Sequence, residues 1–224
     1  MNLSIIIPAL NEAPILGEAL HRLEDKTAEI IVVDGGSQDA TVEIARRHTP
    51  HVFVSAKGRG CQQDIGAHQA RGNVLLFLHA DTRLPPGFLS LVSQALADSK
   101  VVFGAFSLAI HPSSPALELV AFVANLRSRF FKLPYGDQAV FVRREAYFQV
   151  GGFRDWPVME DVDLVRRLRR AGGFRLARGE VQTSARRWEQ GKVVMTTLRN
   201  WLRMIRFFLG VSPNVLARSY PDTR

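Results

Sequence analysis

Two short apolar runs near the start of the chain, Ser4-Ile5-Ile6-Ile7-Pro8-Ala9-Leu10-Asn11-Glu12 and Ile30-Ile31-Val32-Val33-Asp34-Gly35-Gly36-Ser37, end abruptly in polar residues, Gly or Pro. Unbroken apolar runs of this length read as strands covered on both faces, the habit of a parallel sheet. In an open α/β sheet the C-terminal ends of such strands form the edge at which a nucleotide binds. The polar residues that close each run, Glu12 and Asp34 above all, therefore stand where ligand chemistry is expected.

The rest of the first hundred residues keeps the same rhythm. After a strand at 3–7, Ile15, Leu16, Ala19, Leu20 and Leu23 have helical spacing, and a second strand follows at 29–33. Ser37 or Asp39 can cap a helix that runs to about His48 and is stopped by Pro50. Residues 52–54 read as a third strand, 61–70 as a helix and 73–78 as a fourth strand. This alternation predicts a mostly parallel sheet with right-handed crossovers and helices on both faces. Beyond Pro85-Pro86 the order loosens. A long strand is read at 101–110, a loop at 111–115 and a mostly apolar helix at 116–131. A strand at 138–142, a helix at 161–171 broken by Gly172-Gly173, and a last helix over about 192–209 complete the reading.

A length of 224 residues suits one large domain, or one and a half, with a substantial core. The single cysteine, Cys61, excludes an internal disulfide and suits a reducing compartment. The run at 3–7 is too short for the apolar centre of a leader, and no window approaches the ~18 apolar residues of a membrane span. A cytoplasmic protein is expected. Charge is distributed unevenly: residues 1–163 carry 15 Lys/Arg against 18 Asp/Glu, whereas 164–224 carry 14 against 3. So basic a C-terminal quarter points to an anionic partner (diphosphate, lipid headgroup or nucleic acid) or to a solvated basic surface.

Several short segments carry chemistry-bearing residues at strand ends. Asp34, followed by Gly35-Gly36-Ser37-Gln38-Asp39, can either accept hydrogen bonds from a nucleobase or ribose, or simply shape a capping turn. The run Leu75-Leu76-Phe77-Leu78-His79-Ala80-Asp81-Thr82 delivers an acid to the same edge, where a carboxylate suits the hard-oxygen preference of Mg²⁺ or Mn²⁺. Lys57-Gly58-Arg59-Gly60 is a basic loop, and Pro134-Tyr135-Gly136-Asp137-Gln138 a turn before a strand. Glu160-Asp161 opens a helix, where adjacent acids can be no more than partners of the helix dipole.

Taken in order, these segments resemble family 2 inverting glycosyltransferases of the GT-A (nucleotide-diphospho-sugar transferase) fold, a Rossmann-like α/β architecture with a mostly parallel sheet. The resemblance extends from residue 3 to about 190. It implies that Asp34 binds the base, that Pro8, Ala9 and Glu12 form the opposite wall, and that Lys57 and Arg59 belong to a third nucleotide-contact loop. Family members commonly read V-D-D-G-S-x-D-x-T around the first of these; here Gly35 replaces the second Asp. Most have D-x-D where this chain has His79-Ala80-Asp81. Asp81 is then implied as ligand of Mg²⁺ or Mn²⁺ and as diphosphate contact. His79 is a second ligand, a ribose or phosphate contact, or only a strand cap. Gly136, Asp137 and Gln138 resemble the segment that floors the acceptor site. Asp161 resembles the general base of the family's E-D pair, with Glu160 supporting it or touching the acceptor.

Ser184-Ala185-Arg186-Arg187-Trp188 resembles the Q-x-x-R-W motif of processive members, but Ser184 stands for the Gln, so processive synthesis is not implied. Arg186 or Arg187 would meet the diphosphate, and Trp188 would stack on a sugar or acceptor or pack at the surface. The L-H-A-D-T and Y-G-D-Q segments most resemble a small bacterial subgroup named for arsenosugar biosynthesis. The implied organisation is one catalytic domain over 1–190, with a nucleotide-binding half at 1–100 and an acceptor-binding half at 101–190. The implied donor is a UDP-sugar, with a GDP-sugar second, and the acceptor is undefined.

Two other classes are weighed. A sugar nucleotidyltransferase would carry a Gly-rich basic phosphate loop after the first strand, where this chain has Pro8-Ala9-Leu10-Asn11-Glu12. A non-catalytic nucleotide-sugar-binding protein of the same fold is favoured only by His79. No nucleic-acid-binding module is recognised, and no nucleic acid partner is expected. In the basic segment 191–224, Val194, Leu198, Trp201, Leu202, Ile205, Phe208 and Leu209 share one helical arc of roughly 120°. Lys192, Arg199, Arg203 and Arg206 flank it. The stripe can pack on the sheet domain, which needs helical cover, or lie on an anionic membrane, which would place the protein on the inner face.

Overall fold

The structure, a computed structural model, describes residues 1–23, 27–186 and 193–218, apart from the side chain of Val194. The chain runs β1 (Leu3–Ala9), α1 (Ala13–His21), β2 (Glu29–Asp34), α2 (Thr41–His48), β3 (Val52–Val54), α3 (Arg59–Gln69), β4 (Val74–Phe77), β5 (Thr82–Arg83) and α4 (Phe88–Ala95). It continues β6 (Val101–His111), α5 (Pro115–Phe131), a 3₁₀ turn (Gly136–Gln138), β7 (Phe141–Arg143), α6 (Arg144–Gln149), α7 (Glu160–Ala171), β8 (Gly173–Ser184), α8 (Val193–Phe208) and α9 (Pro213–Ala217). All strands join one sheet in the order β3-β2-β1-β4-β7-β6-β8-β5. β1 to β4 are mutually parallel, β7 runs against both β4 and β6, β8 is parallel to β6, and β5 runs against β8.

The continuous apolar runs are explained by cover on both sides. Along β1, Leu3, Ile5, Ile7 and Ala9 enter one core with α1, α2, α4 and α5, while Ile6 enters another with α3, α6 and α7. β2 divides likewise, Ile30 and Val32 to the first core and Ile31 and Val33 to the second, as do Val74 and Leu76 against Leu75 and Phe77 in β4. A strand whose odd and even residues are both buried has no polar face left, so its polar residues collect at its end.

Five elements go beyond the sequence reading: β5, α4, α6, the twelve-residue β8 and α9. β8 carries Arg175, Arg178, Gly179 and Glu180, which disrupt any apolar rhythm. It is a strand because β6 offers it a backbone ladder from Val101 to His111, with register shifts that absorb the irregularity. The strand expected at 138–142 is shorter and later, since Gly136–Gln138 closes as a 3₁₀ turn and β7 starts at Phe141. The helix from Pro115 follows the expected signals: Ser114 accepts the Leu117 N–H at 3.3 Å, and Pro115 occupies the first turn.

Candidate active site

The C-terminal ends of β1 and β2 are laced together. The Gly35 N–H donates to the Ala9 carbonyl at 2.9 Å, and the Gln62 side-chain amide donates to the carbonyls of both Ala9 and Val33 at 2.8 Å. Gln62 is buried beneath the turn, and a Cβ on residue 35 would stand 3.1 Å from its amide. A side chain at position 35, where the family pattern has a second Asp, would therefore press on Gln62. Pro8 and Ala9 lie inside β1, paired with Val33 and Asp34. Asp34 is also buried, and its carboxylate accepts the N–H groups of Gly36 and Ser37 at 2.8 Å and the Ser37 hydroxyl. It builds its own turn first, as one of its two sequence readings requires. Asp39 serves the first turn of α2 by accepting the Thr41 N–H at 3.0 Å. Replacing Gln62 by Leu strips the two strand ends of this shared donor, and we expect a loss of about 2 kcal/mol, read as a lower urea midpoint with unchanged slope.

Beside this turn three charged groups meet. Arg186 donates from Nη2 to Glu12 Oε1 at 2.7 Å, and its Nε lies 3.3 Å from Asp81 Oδ2. The Glu12 hydrogen bond is the main cause of the upward shift of the Arg186 pKa, burial opposes it, and Asp81 adds to it. Arg186, one of the two arginines marked in the sequence, thus joins the two acids. Arg187 and Trp188 lie outside the described residues.

On the other side of the β4 end, His79 is nearly buried. Its Nε2 and the Asp161 Oδ2 each lie 3.2 Å from where a Cβ on Gly136 would stand, so imidazole and carboxylate flank one turn. The Gly136 N–H donates to Asp161 Oδ2 at 2.7 Å, and the Val162 N–H to Oδ1 at 2.8 Å. Glu160 is buried, 3.8 Å from Arg59 Nη1, which ties the start of α7 to the start of α3. Lys57 is exposed on the loop before α3. Asp137 is half-buried, whereas Gln138 is fully buried. Its amide donates to the Phe106 carbonyl at 3.0 Å and accepts from Ser128, Tyr135 and Arg127, so it serves as the anchor of the turn rather than as an open contact surface.

Arg127 is a component that sequence reasoning missed. Its guanidinium lies 3.2 Å from the centre of the Tyr135 ring and bonds the Leu133 carbonyl at 2.9 Å, bracing the segment that presents Gly136. No sequence signal identifies it, because helix α5 and the 3₁₀ turn come together only in the fold. Burial pushes the Tyr135 hydroxyl up to about 12, so it stays neutral near pH 7.

A sequence model described as Glycosyl transferase family 2 matches residues 4–154. The chain belongs to this family. Among relatives of this family 2 domain, the Drosophila melanogaster dolichyl-phosphate beta-glucosyltransferase is 37% identical over 107 residues, which cover 38% of this chain and 33% of that protein. The chain therefore spans about a third of that relative's length. S. aureus TarS (residues 1–349) in complex with UDP superposes with a TM-score of 0.64 at 17% identity, over 82% of this chain and 60% of the other. The glucosyl-3-phosphoglycerate synthase of Mycobacterium tuberculosis, in complex with Mg²⁺ and UDP, gives 0.60 at 18% identity, over 82% and 69%. The shared architecture is the GT-A fold expected from the sequence.

Among the described residues, no three His, Cys, Asp or Glu side chains gather as a self-sufficient metal site in this family 2 domain. The edge does offer Asp81 as a hard oxygen donor. Beside it, across Arg186, is Glu12, whose second oxygen is buried with no hydrogen-bond partner among the described residues. Mg²⁺ and Mn²⁺ are commonly held by one or two carboxylates, with substrate phosphates and water completing the shell, and this donor set fits that pattern. His79 is placed against the Gly136 turn.

Proposed function

We propose that this chain transfers a glycosyl group from a UDP-sugar to an acceptor hydroxyl with inversion, by single displacement. One observation carries the reading. Glu12 and Asp81 share Arg186 at the end of β1 and β4, while Asp161 stands across His79 on the Gly136 turn. Acids on the two sides of the β4 end suit a reaction with a phosphorylated leaving group on one side and a hydroxyl on the other.

In this proposal the Asp34 turn and the Lys57–Arg59 loop receive the nucleoside. Arg186, drawn from its acids, neutralises the diphosphate. When bound at Asp81, Mg²⁺ or Mn²⁺ would supply further positive charge to that leaving group. The acceptor oxygen attacks the anomeric carbon from the face opposite the diphosphate, and the bond to the phosphate oxygen breaks with its electron pair on UDP. Asp161 takes the hydroxyl proton. The Gly136 N–H fixes the orientation of that carboxylate, and Arg59 steadies Glu160 beside it. The UDP of the two superposed structures supports the donor class. The relatives named above differ from the arsenosugar subgroup, so the acceptor is proposed only as a hydroxyl.

Thermal unfolding with UDP and GDP, each with and without Mn²⁺, tests the donor side. UDP with Mn²⁺ at about 100 times its Kd should stabilise the protein by roughly 2.7 kcal/mol, and GDP by much less. No shift with any nucleotide would overturn the proposal. A shift without any turnover of UDP-sugars would leave a binding protein in its place.

A further inference from the structure

Helix α8 turns its apolar stripe away from the protein. Its buried side is made by Arg203 and Phe207, with Met204 packed partly beside them. Leu198, Trp201, Leu202, Ile205 and Leu209 are each more than half exposed, Leu209 at 78%. This reverses the packing that the sheet's need for cover favours in the sequence. The neighbouring α5 touches α8 and exposes Leu119, Phe122, Phe130 and Phe131. Apolar surface of this extent is uncommon on a monomer and marks a docking face. No helix among the described residues is long and apolar enough to cross a membrane.

A pocket of about 350 Å³ opens at the end of α8, immediately beside Phe208 and Leu209. Trp156 and Phe207 wall it, together with Arg154, Arg166, Arg167 and Arg170. Asp163 is the one carboxylate among its lining residues, and it lies 2.8 Å from Arg167 and 3.5 Å from Arg154. Arg166 lies over the rings of Phe207 and Phe208, which joins the cationic pocket to the apolar face. Four guanidinium groups against one carboxylate leave the pocket with a surplus of positive charge, which suits a phosphate-bearing anion.

We propose that this end of the molecule docks on an anionic phospholipid surface, with a lipid phosphate in the arginine pocket and the exposed faces of α8 and α5 in the headgroup–acyl boundary. Charge selects this occupant over a second copy of the chain. Residues 193–218 hold four arginines and no Asp or Glu, so joining the same face of two copies would oppose like charges. An anionic leaflet complements them, and Trp201 stands where an interfacial aromatic belongs.

Co-sedimentation of the full chain with phosphatidylcholine vesicles, with and without phosphatidylglycerol, tests the proposal. Binding should be at least about tenfold stronger to the anionic vesicles and should weaken as salt is raised. Arg166→Glu with Arg170→Glu should abolish the preference for anionic lipid, and Leu202→Glu with Leu209→Glu should reduce binding about tenfold or more. Melting temperatures establish that the variants are folded; if either pair is not, Arg170→Gln and Leu209→Ser, both at exposed positions, decide in the same assay. Absent binding, or equal binding to both vesicles, would overturn the proposal. So would a dimer in sedimentation velocity that Leu202→Glu with Leu209→Glu dissociates.

Discussion

Asp161→Asn is expected to slow sugar transfer by about 10²- to 10⁴-fold while leaving UDP affinity within about twofold. The carboxylate stands at the start of α7 and receives two backbone N–H groups, from Gly136 at 2.7 Å and Val162 at 2.8 Å. Both bonds orient it without occupying all of its acceptor capacity, so lone pairs remain for an acceptor hydroxyl. Asn has nearly the same size but lacks the charge that takes up a proton, and its single carbonyl oxygen can accept only one of the two N–H groups, so a melting temperature checks that the variant stays folded. The measurement is release of UDP from a panel of UDP-sugars, set beside UDP binding by calorimetry on the same preparation. Unchanged release would remove Asp161 as the base. Loss of binding together with release would place it instead among the groups that hold the donor.

Asp81→Ala should abolish the response of UDP binding to Mn²⁺. In the wild-type protein two acids share Arg186. Removing Asp81 takes away the hard oxygen donor 3.3 Å from the guanidinium and leaves Arg186 paired with Glu12 at 2.7 Å. We expect UDP affinity in Mn²⁺ to fall by about 10- to 100-fold, equivalent to ~1.4–2.7 kcal/mol, down to the value measured in EDTA. Titrating UDP into both proteins, with Mn²⁺ and with EDTA, gives all four constants. A variant that keeps a Mn²⁺ response holds the metal elsewhere, with Glu12 Oε2, which has no hydrogen-bond partner among the described residues, the first place to look.

The placement of the acids at the strand ends was legible because it follows directly from local sequence. An apolar strand covered on both faces can place polar groups only at its ends, and Glu12, Asp34 and Asp81 all occupy such ends. Each belongs to a segment whose residue order resembles the family pattern, which the match over residues 4–154 bears out. The elements after Pro85 were read less well. β8 is a strand only because β6 lies beside it, and α4 and α6 are short helices of eight and six residues.

By itself the sequence determined the α/β alternation, the parallel half of the sheet and the membership of glycosyltransferase family 2, since hydrophobic periodicity and motif order are local properties of the chain. Only the tertiary structure decided which groups meet. Arg186 joins Glu12 and Asp81 across more than a hundred residues of sequence, and Gln62 lies in close contact with the face of Gly35 where a Cβ would stand. The same is true of α8: its stripe is visible in the sequence, but a helical period does not say which side faces the core. That choice went to Phe207 and Arg203, because contacts with α7, the segment around Trp156 and α9 are made by the fold as a whole.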